Sequence, residues 1–168
     1  MINNKYNNFF NRLKYMVLTE PQKVAVKDKN NVYTYDDLWK KMQFFSQKLK
    51  NVGVRKGDRV AIFMENNANY VIGILAILTV GGIFVPLSTR SPEEYVYKIL
   101  YNCNPSIVMV DNKSKEKFLS MPKKCTNIVN LDEIISEKSG EEVYENIIGG
   151  DIAYIVYTSG STGFPKGV

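Results

Sequence analysis

The sequence has no histidine among its 168 residues. Histidine is the usual general base and a common metal ligand, so its absence excludes Ser-His and Cys-His nucleophile pairs and histidine metal sites. Only two cysteines occur, Cys103 and Cys125, and neither has CxxC spacing or companion zinc ligands. Cys103 falls at a helical core position, which favours a buried thiol.

Long apolar runs are also missing. The most apolar region, Tyr70–Val85, is interrupted by the pair Gly81-Gly82 and then meets Pro86. It is too short for a membrane span and is typical of a buried helix followed by a buried strand. Residues 1–8 lack the apolar stretch and cleavage site of a signal peptide. We therefore expect a cytoplasmic protein without a membrane span.

The charge balance is mildly basic, with a net charge of +5 and a pI near 9.1. The lysines are spread along the chain, and no basic stripe is interleaved with aromatic residues. A solvated surface accounts for this pattern better than a nucleic-acid interface does, so no nucleic-acid partner is expected.

Helical and strand patterns alternate between Thr34 and Asn130. Thr34 and Asp37 form a capping-box pattern ahead of an apolar stripe at helical spacing, and Ser91–Glu94 suggests a second capping box. Short apolar runs predict strands at residues 58–64, 83–87, 106–110 and 128–130, with a helix over 68–80 between the first two. This order predicts an α/β fold in which a mostly parallel sheet has flanking helices.

The flanking segments are less regular. A first amphipathic helix is predicted over residues 9–17, ahead of Pro21, and a small hairpin from residues 24–26 and 31–33. Residues 137–150 are acidic and aperiodic, and we interpret them as a surface connection.

The last eighteen residues carry the chemistry. A predicted strand, Asp151–Tyr157, runs into Thr158-Ser-Gly-Ser-Thr-Gly163 and then Phe164-Pro-Lys-Gly167. Glycines let the backbone amides approach an anion, hydroxyl groups can donate to phosphate oxygens, and Lys166 supplies a cation. These residue types in this order indicate a phosphate-binding loop; the alternative is a plain Gly/Ser turn between two strands.

The loop is not a Walker A motif. Counting from Gly160, that motif needs glycine and lysine at the fifth and sixth following positions, where this chain has Pro165 and Lys166. The Ser or Thr expected after the lysine is replaced by Gly167. A conventional P-loop NTPase is therefore not expected.

Tyr157–Val168 resembles the AMP-binding signature of the adenylate-forming superfamily, which includes peptide-synthetase adenylation domains, acyl-CoA synthetases and luciferases. Other stretches agree. Tyr33–Leu38 resembles the family's T-Y-x-E-L motif, with Asp37 in place of glutamate. Val54–Ala61 resembles the G-D-R-V-A entry to a strand, and Leu78–Leu87 resembles K-A-G-x-x-x-V-P-L, with Thr79 replacing lysine.

The resemblance implies a fold, a reaction and a site. Residues 1–168 would be a partial N-terminal subdomain of an adenylate-forming enzyme, ending inside the phosphate-binding hairpin. The reaction would join a carboxylate to the α-phosphate of Mg-ATP, release pyrophosphate, and pass the acyl group to a thiol of a carrier protein or CoA. ATP and Mg²⁺ are the implied cofactors. The residues that would bind the β- and γ-phosphates are Thr158, Ser159, Gly160, Ser161, Thr162, Gly163 and Lys166.

The resemblance assigns no nucleophile and no metal-binding side chain to these residues, so the loop would act as a charge stabiliser. In the family, the first loop hydroxyl, Thr158 here, can also approach the magnesium. The family's magnesium-binding glutamate and adenylation lysine are expected beyond Val168, and the isolated chain is expected to be inactive.

Two branches of the superfamily remain open. Asp151-Ile-Ala-Tyr154 and the loop favour amino-acid adenylation, whereas Pro86–Glu94, with Ser88 where peptide synthetases usually carry aspartate, favours acyl-CoA ligases. Taken together, these motifs slightly favour amino-acid activation. Alternatives from other classes are a non-catalytic nucleotide- or phosphate-binding module and a structural or partner-binding domain.

Overall fold

A computed structural model of the chain describes residues 8–121, 127–132, 142–159 and 164–168. The five helices in these ranges are α1 (Phe9–Thr19), α2 (Tyr35–Asn51), α3 (Ala68–Thr79), α4 (Glu93–Cys103) and α5 (Asn112–Ser120). The eight strands are β1 (Val24–Lys27), β2 (Val32–Thr34), β3 (Arg59–Phe63), β4 (Ile83–Leu87), β5 (Ile107–Val110), β6 (Ile128–Asn130), β7 (Tyr157–Ser159) and β8 (Pro165–Gly167). None of the helices is both long and apolar enough to cross a membrane.

The centre of the fold is a four-stranded parallel sheet in the order β4-β3-β5-β6. Helices α3, α4 and α5 connect its successive strands, as crossover connections between parallel strands require. The other two sheets are antiparallel hairpins, β1-β2 and β7-β8. The α/β prediction, with its parallel sheet and flanking helices, is confirmed.

Alternate residues of the central strands supply two cores. Val60 and Ile62 of β3 face one side, where they pack with buried residues of α1, α2 and α3. Ala61 and Phe63 face the other side and pack with α4 and Phe118 of α5. A strand buried on both faces must be apolar at every position, which is why β3 and β5 read as continuous apolar runs.

Helix α2 begins at the predicted capping box. Thr34 Oγ1 accepts a hydrogen bond from the Asp37 backbone N–H at 3.1 Å, and the Asp37 carboxylate accepts from the Thr34 backbone N–H at 3.0 Å. The Thr34 hydroxyl also donates to the Asp37 carboxylate at 2.7 Å, and this hydrogen bond, with the one from the Thr34 backbone N–H, holds the pKa of Asp37 below its usual value. The small hairpin β1-β2 before α2 is also confirmed.

The predicted capping box at Ser91 is wrong. Helix α4 begins at Glu93, and Pro92 occupies the N-cap position in an extended conformation without a side-chain capping hydrogen bond. Ser91 therefore lies one residue outside the cap. Its backbone N–H instead donates to the Ser88 carbonyl at 3.2 Å, which closes a turn after β4.

Helix α5 is not predicted from the sequence. Asp111 caps it by accepting from the Ser114 N–H at 2.7 Å, and Ser114 and Phe118 are its buried residues. The signal for this helix in the sequence is weak, because the helix is short and rich in lysine. It consists of Asp111, Ser114 and Phe118, followed by buried Met121.

Two predictions about the later part of the chain are corrected. Residues 151–156 form no continuous strand; they make one parallel bridge, between Tyr154 and Phe84, and β7 begins only at Tyr157. Within the predicted surface connection, the described residues 142–150 include Val143, which is buried. The remainder of that connection, residues 137–141, lies outside the described residues.

Candidate functional site

The predicted phosphate-binding segment forms an antiparallel hairpin. Strands β7 and β8 place Tyr157 opposite Gly167, Thr158 opposite Lys166, and Ser159 opposite Pro165. One residue further out, Val156 and Val168 exchange both backbone hydrogen bonds, at 3.0 and 2.9 Å. The chain after Phe164 thus pairs back beside the strand that enters the loop.

The hairpin brings together two of the predicted site residues. Opposed residues of an antiparallel pair project on the same face, so Thr158 and Lys166 share one face of the hairpin. Both side chains are exposed to solvent. Ser159 is described through its backbone only, and Gly160, Ser161, Thr162 and Gly163 lie outside the described residues.

Tyr157 and Gly167 also form an opposed pair, and the Tyr157 hydroxyl donates a hydrogen bond to Asn102 of α4. Pro165 is buried, whereas its sequence neighbours Phe164 and Lys166 are exposed. One face of the hairpin is thus attached to the body of the domain, while Thr158 and Lys166 are left accessible.

The hairpin is attached to the edge of the central sheet. The Phe84 N–H of β4 donates to the Ala153 carbonyl, and the Ile155 N–H donates to the Phe84 carbonyl, both at 3.1 Å. The segment thus runs beside β4 for one bridge before it turns into β7. The position of the exposed Thr158–Lys166 pair is therefore set by a backbone contact with the edge strand.

A salt bridge secures the start of this segment. Lys56 Nζ lies 2.7 Å from Asp151 Oδ2 and also donates to the Asn146 carbonyl at 2.8 Å. The hydrogen bond from Lys56, together with one from the Ile148 N–H, holds the pKa of Asp151 below its usual value. A carboxylate at this position therefore stays ionised while it anchors the chain that leads to β7.

A second concave region lies at the carboxyl ends of β3 and β4. A cavity of about 520 Å³ is lined by residues that follow these strands, among them Glu65, Ser88 and Arg90. A hydrogen bond from Lys113 Nζ to Glu65 Oε2, 2.8 Å long, lowers the pKa of Glu65. No motif in the sequence indicates a role for this crevice. The usable signal was that the carboxyl ends of parallel strands are where open α/β sheets form crevices.

Among the described residues, no group of three or more carboxylate, cysteine or histidine side chains is arranged to hold a metal ion. In the described part of the hairpin, the groups that can donate hydrogen bonds to an anion are the Thr158 hydroxyl, the Lys166 ammonium and backbone N–H groups of β7 and β8. They fit the phosphate end of a nucleotide, since hydroxyl, ammonium and amide groups all donate hydrogen bonds to phosphate oxygens.

Comparison with known proteins places the chain in a family. Residues 14–168 match the model of the AMP-binding enzymes. The chain belongs to this family, and its fold is that of the N-terminal part of adenylate-forming domains.

Among curated proteins, the chain is similar to the AMB antimetabolite synthetase AmbB of Pseudomonas aeruginosa. The two are 32% identical over 149 residues, which is 88% of this chain and 12% of that protein. It is also similar to surfactin synthase subunit 1 of Bacillus subtilis, with 30% identity over 86% of this chain and 4% of that protein. The chain thus spans only a small part of the length of these relatives.

Among solved structures, one similar protein is the fatty acyl-adenylate ligase of L. pneumophila, crystallised with acyl adenylate and pyrophosphate. Its TM-score is 0.80 at 28% identity, and the match covers 93% of this chain and 29% of that chain. Another is the N-terminal subdomain of Klebsiella oxytoca NpsA in complex with 3-hydroxybenzoyl-AMSN. Its TM-score is 0.76 at 27% identity, over 93% of this chain and 38% of that chain.

Proposed function

We propose that the chain is the ATP-phosphate-binding part of an AMP-forming carboxylate ligase. In the full-length enzyme a carboxylate oxygen attacks the α-phosphorus of Mg-ATP, the bond to the β-phosphate bridging oxygen breaks, and acyl-adenylate and pyrophosphate form. The observation that supports this most directly is the hairpin β7-β8, which sets Thr158 opposite Lys166 on one exposed face within the matched family region.

The proposed role of the hairpin is to stabilise charge on the leaving pyrophosphate. The assigned residues are Thr158, Ser159, Gly160, Ser161, Thr162, Gly163 and Lys166. Lys166 is the only cationic residue between Tyr157 and Val168. Negative charge grows on the β-phosphate as its bond to the α-phosphate breaks, so an ammonium group held nearby favours the transition state. Mg²⁺ enters this proposal with ATP, as part of the substrate.

The substrate and the acceptor form the finer part of the proposal. We favour an amino acid as the carboxylate and a carrier-protein thiol as the acceptor, because the curated relatives include peptide synthetases. A fatty or aryl acid with CoA as the acceptor is the second candidate, supported by the similar fold of a fatty acyl-adenylate ligase. A cytoplasmic location belongs to the same proposal, since ATP is available there.

Residues 1–168 are proposed to be a partial N-terminal subdomain of this enzyme that makes no acyl-adenylate by itself. The chain covers 38% of a structure that is itself an N-terminal subdomain. The direct test is ATP–pyrophosphate exchange by the full-length enzyme with panels of amino acids, fatty acids and aryl acids. Exchange that depends on one class of acid would identify the substrate class, and no exchange with any acid would contradict the proposal.

The variant Lys166→Ala tests the site itself. A charge-assisted hydrogen bond contributes about 1.5–3 kcal/mol, so exchange should slow, or the KM for ATP should rise, by about ten- to a hundredfold. The KM for the carboxylate should change much less. Lys29→Ala is the matched control, because Lys29 is an exposed lysine in the turn between β1 and β2. Equal kinetics for the two variants would overturn the assignment of Lys166.

A further inference from the structure

The outer side of α4 lies under the hairpin β7-β8. The buried residues of this helix, Val96, Ile99, Leu100 and Cys103, face the sheet. On the side away from the sheet, two polar residues one turn apart, Lys98 and Asn102, contact the hairpin. Residues four apart on a helix lie on the same face, so α4 offers two neighbouring contact points.

The first contact is a hydrogen bond at the start of β7. The Tyr157 hydroxyl donates to Asn102 Oδ1 at 2.5 Å. Partial burial raises the pKa of Tyr157 above its usual value, so the hydroxyl keeps its proton and remains a donor at neutral pH. Asn102 itself is exposed, so its side chain is not part of the core.

The same tyrosine also holds the opposite strand. A Cβ atom placed on Gly167 would lie 3.1 Å from Tyr157 Cζ and 2.8 Å from Ile155 Cγ2. The Tyr157 ring therefore lies over the backbone of Gly167, its partner in the register. One side chain thus contacts β8 with its ring and α4 with its hydroxyl, and it couples both strands to the helix.

The second contact is at the start of β8. Lys98 Nζ lies 5.3 Å from the centroid of the Phe164 ring, a distance typical of a cation–π contact. Lys98 is itself held by Glu94, one turn earlier on α4, at 2.9 Å. Helix α4 therefore contacts the hairpin both at Tyr157 and at Phe164, on either side of the Thr158–Lys166 pair.

We infer that Asn102 is a positioning residue that, through the Tyr157 hydroxyl, orients the Thr158–Lys166 pair toward the phosphates of ATP. This inference rests on the function proposed above. Asn102 does not act on phosphate itself. Its effect arises because a site of hydroxyl and ammonium donors works only when the strands that carry it are held in place.

The test uses pyrophosphate exchange by the full-length enzyme with its best carboxylate. Asn102→Leu removes the acceptor, and Tyr157→Phe removes the donor while it keeps the ring over Gly167. Each variant should raise the KM for ATP about three- to tenfold, in line with the loss of one hydrogen bond, and leave the KM for the carboxylate unchanged. Asn102→Asp keeps an acceptor oxygen and should stay near the wild-type value.

Two controls separate positioning from stability. Asn51 is another exposed asparagine in the last turn of a helix, and it lies far from the hairpin in the sequence. Its Oδ1 accepts a hydrogen bond from Gln47 at 2.9 Å. Asn51→Leu should therefore leave the KM for ATP unchanged. The double variant Asn102→Leu/Tyr157→Phe should be no worse than either single variant, because both remove one interaction.

The possible outcomes are distinct. Wild-type exchange with an unchanged KM for ATP in Asn102→Leu would overturn the role of Asn102 while it leaves the proposed function standing. Equal increases in the KM for ATP and for the carboxylate would also overturn it. Absence of exchange in the wild-type enzyme with every acid would instead contradict the proposed function.

Discussion

Gln43 and Val143 lie 100 residues apart in the sequence, and two hydrogen bonds join the side-chain amide of Gln43 to the backbone of Val143. Gln43 Nε2 donates to the Val143 carbonyl at 3.1 Å, and the Val143 N–H donates to Gln43 Oε1 at 2.7 Å. Both residues are buried. The side chain of a helical glutamine thus replaces a strand partner for an irregular segment, which satisfies two buried backbone groups that have no water to bind.

Gln43→Leu should therefore lower the free energy of unfolding. Leucine fills a similar volume but leaves the Val143 N–H and carbonyl groups without partners, which costs about 1–3 kcal/mol per unsatisfied group. Urea unfolding followed by circular dichroism would measure the change. Gln47→Leu, on the same helix but with an exposed hydrogen bond to Asn51, is the control and should stay within about 0.5 kcal/mol of wild type. Equal stabilities of the two variants would contradict the role of Gln43.

The carboxylate of Asp28 links the turn between β1 and β2 to the start of α3. It accepts from the Ala68 N–H at 2.7 Å and from the Asn30 and Asn31 N–H groups. These hydrogen bonds lower the pKa of Asp28 from 3.8 to about 2, and the one from the Ala68 N–H has the largest effect. Because the pKa is lower in the folded state, the stabilisation is fully present above the unfolded pKa and is lost as the pH falls through about 2.

Asp28→Asn should thus be less stable than wild type at neutral pH, and the difference should shrink as the pH falls from about 4 to about 2. Chemical unfolding of both proteins at a series of pH values would measure this. Subtracting the two curves removes the titration of the carboxylates that do not interact with Asp28. A difference that is constant over this range would show that the charge of Asp28 is not what stabilises the start of α3.

Gly81 occupies a position where any side chain would be poorly tolerated. Its φ of +71° lies in the left-handed region, and an added Cβ would lie 2.9 Å from Lys56 Cγ and 3.1 Å from Glu145 Cγ. Gly81→Ala should lower the free energy of unfolding by about 1–3 kcal/mol, from backbone strain and crowding together. The matched control is Gly149→Ala, where no atom lies within 4 Å of the added Cβ. Thermal unfolding of both variants checks the prediction, and a Gly81→Ala protein as stable as the control would contradict it.

The local structure was largely readable from the sequence because its causes are close together in the chain. The capping box of Thr34 and Asp37, the apolar runs of β3 and β5, and the hairpin before α2 all depend on residues within a few positions of one another. Where a local signal failed, a local reason overrode it. Pro92 took the cap position in an extended conformation and left Ser91 outside the helix.

The composition of the candidate site was also determined by the sequence. The order of glycines, hydroxyls and Lys166 after a strand predicts an anion-binding hairpin, and the structure places Thr158 opposite Lys166 within it. No local pattern, however, could indicate which helix would hold the hairpin. The hydrogen bond from Tyr157 to Asn102 spans 55 residues, and it forms only because α4 crosses from β4 to β5 beneath the hairpin.

What only the tertiary structure decided is thus the set of contacts between segments distant in sequence. The attachment of residues 153–155 to β4, the salt bridge of Lys56 with Asp151 and the amide pairing of Gln43 with Val143 all belong to this set. Glutamine and lysine side chains are compatible with many partners, so their identity alone does not select one. The sequence determined which hydroxyl, glycine and lysine residues make up the candidate site. The packing of helices on the parallel sheet determined where those groups are held, since burial of the apolar faces contributes more to the free energy of folding than individual polar contacts do.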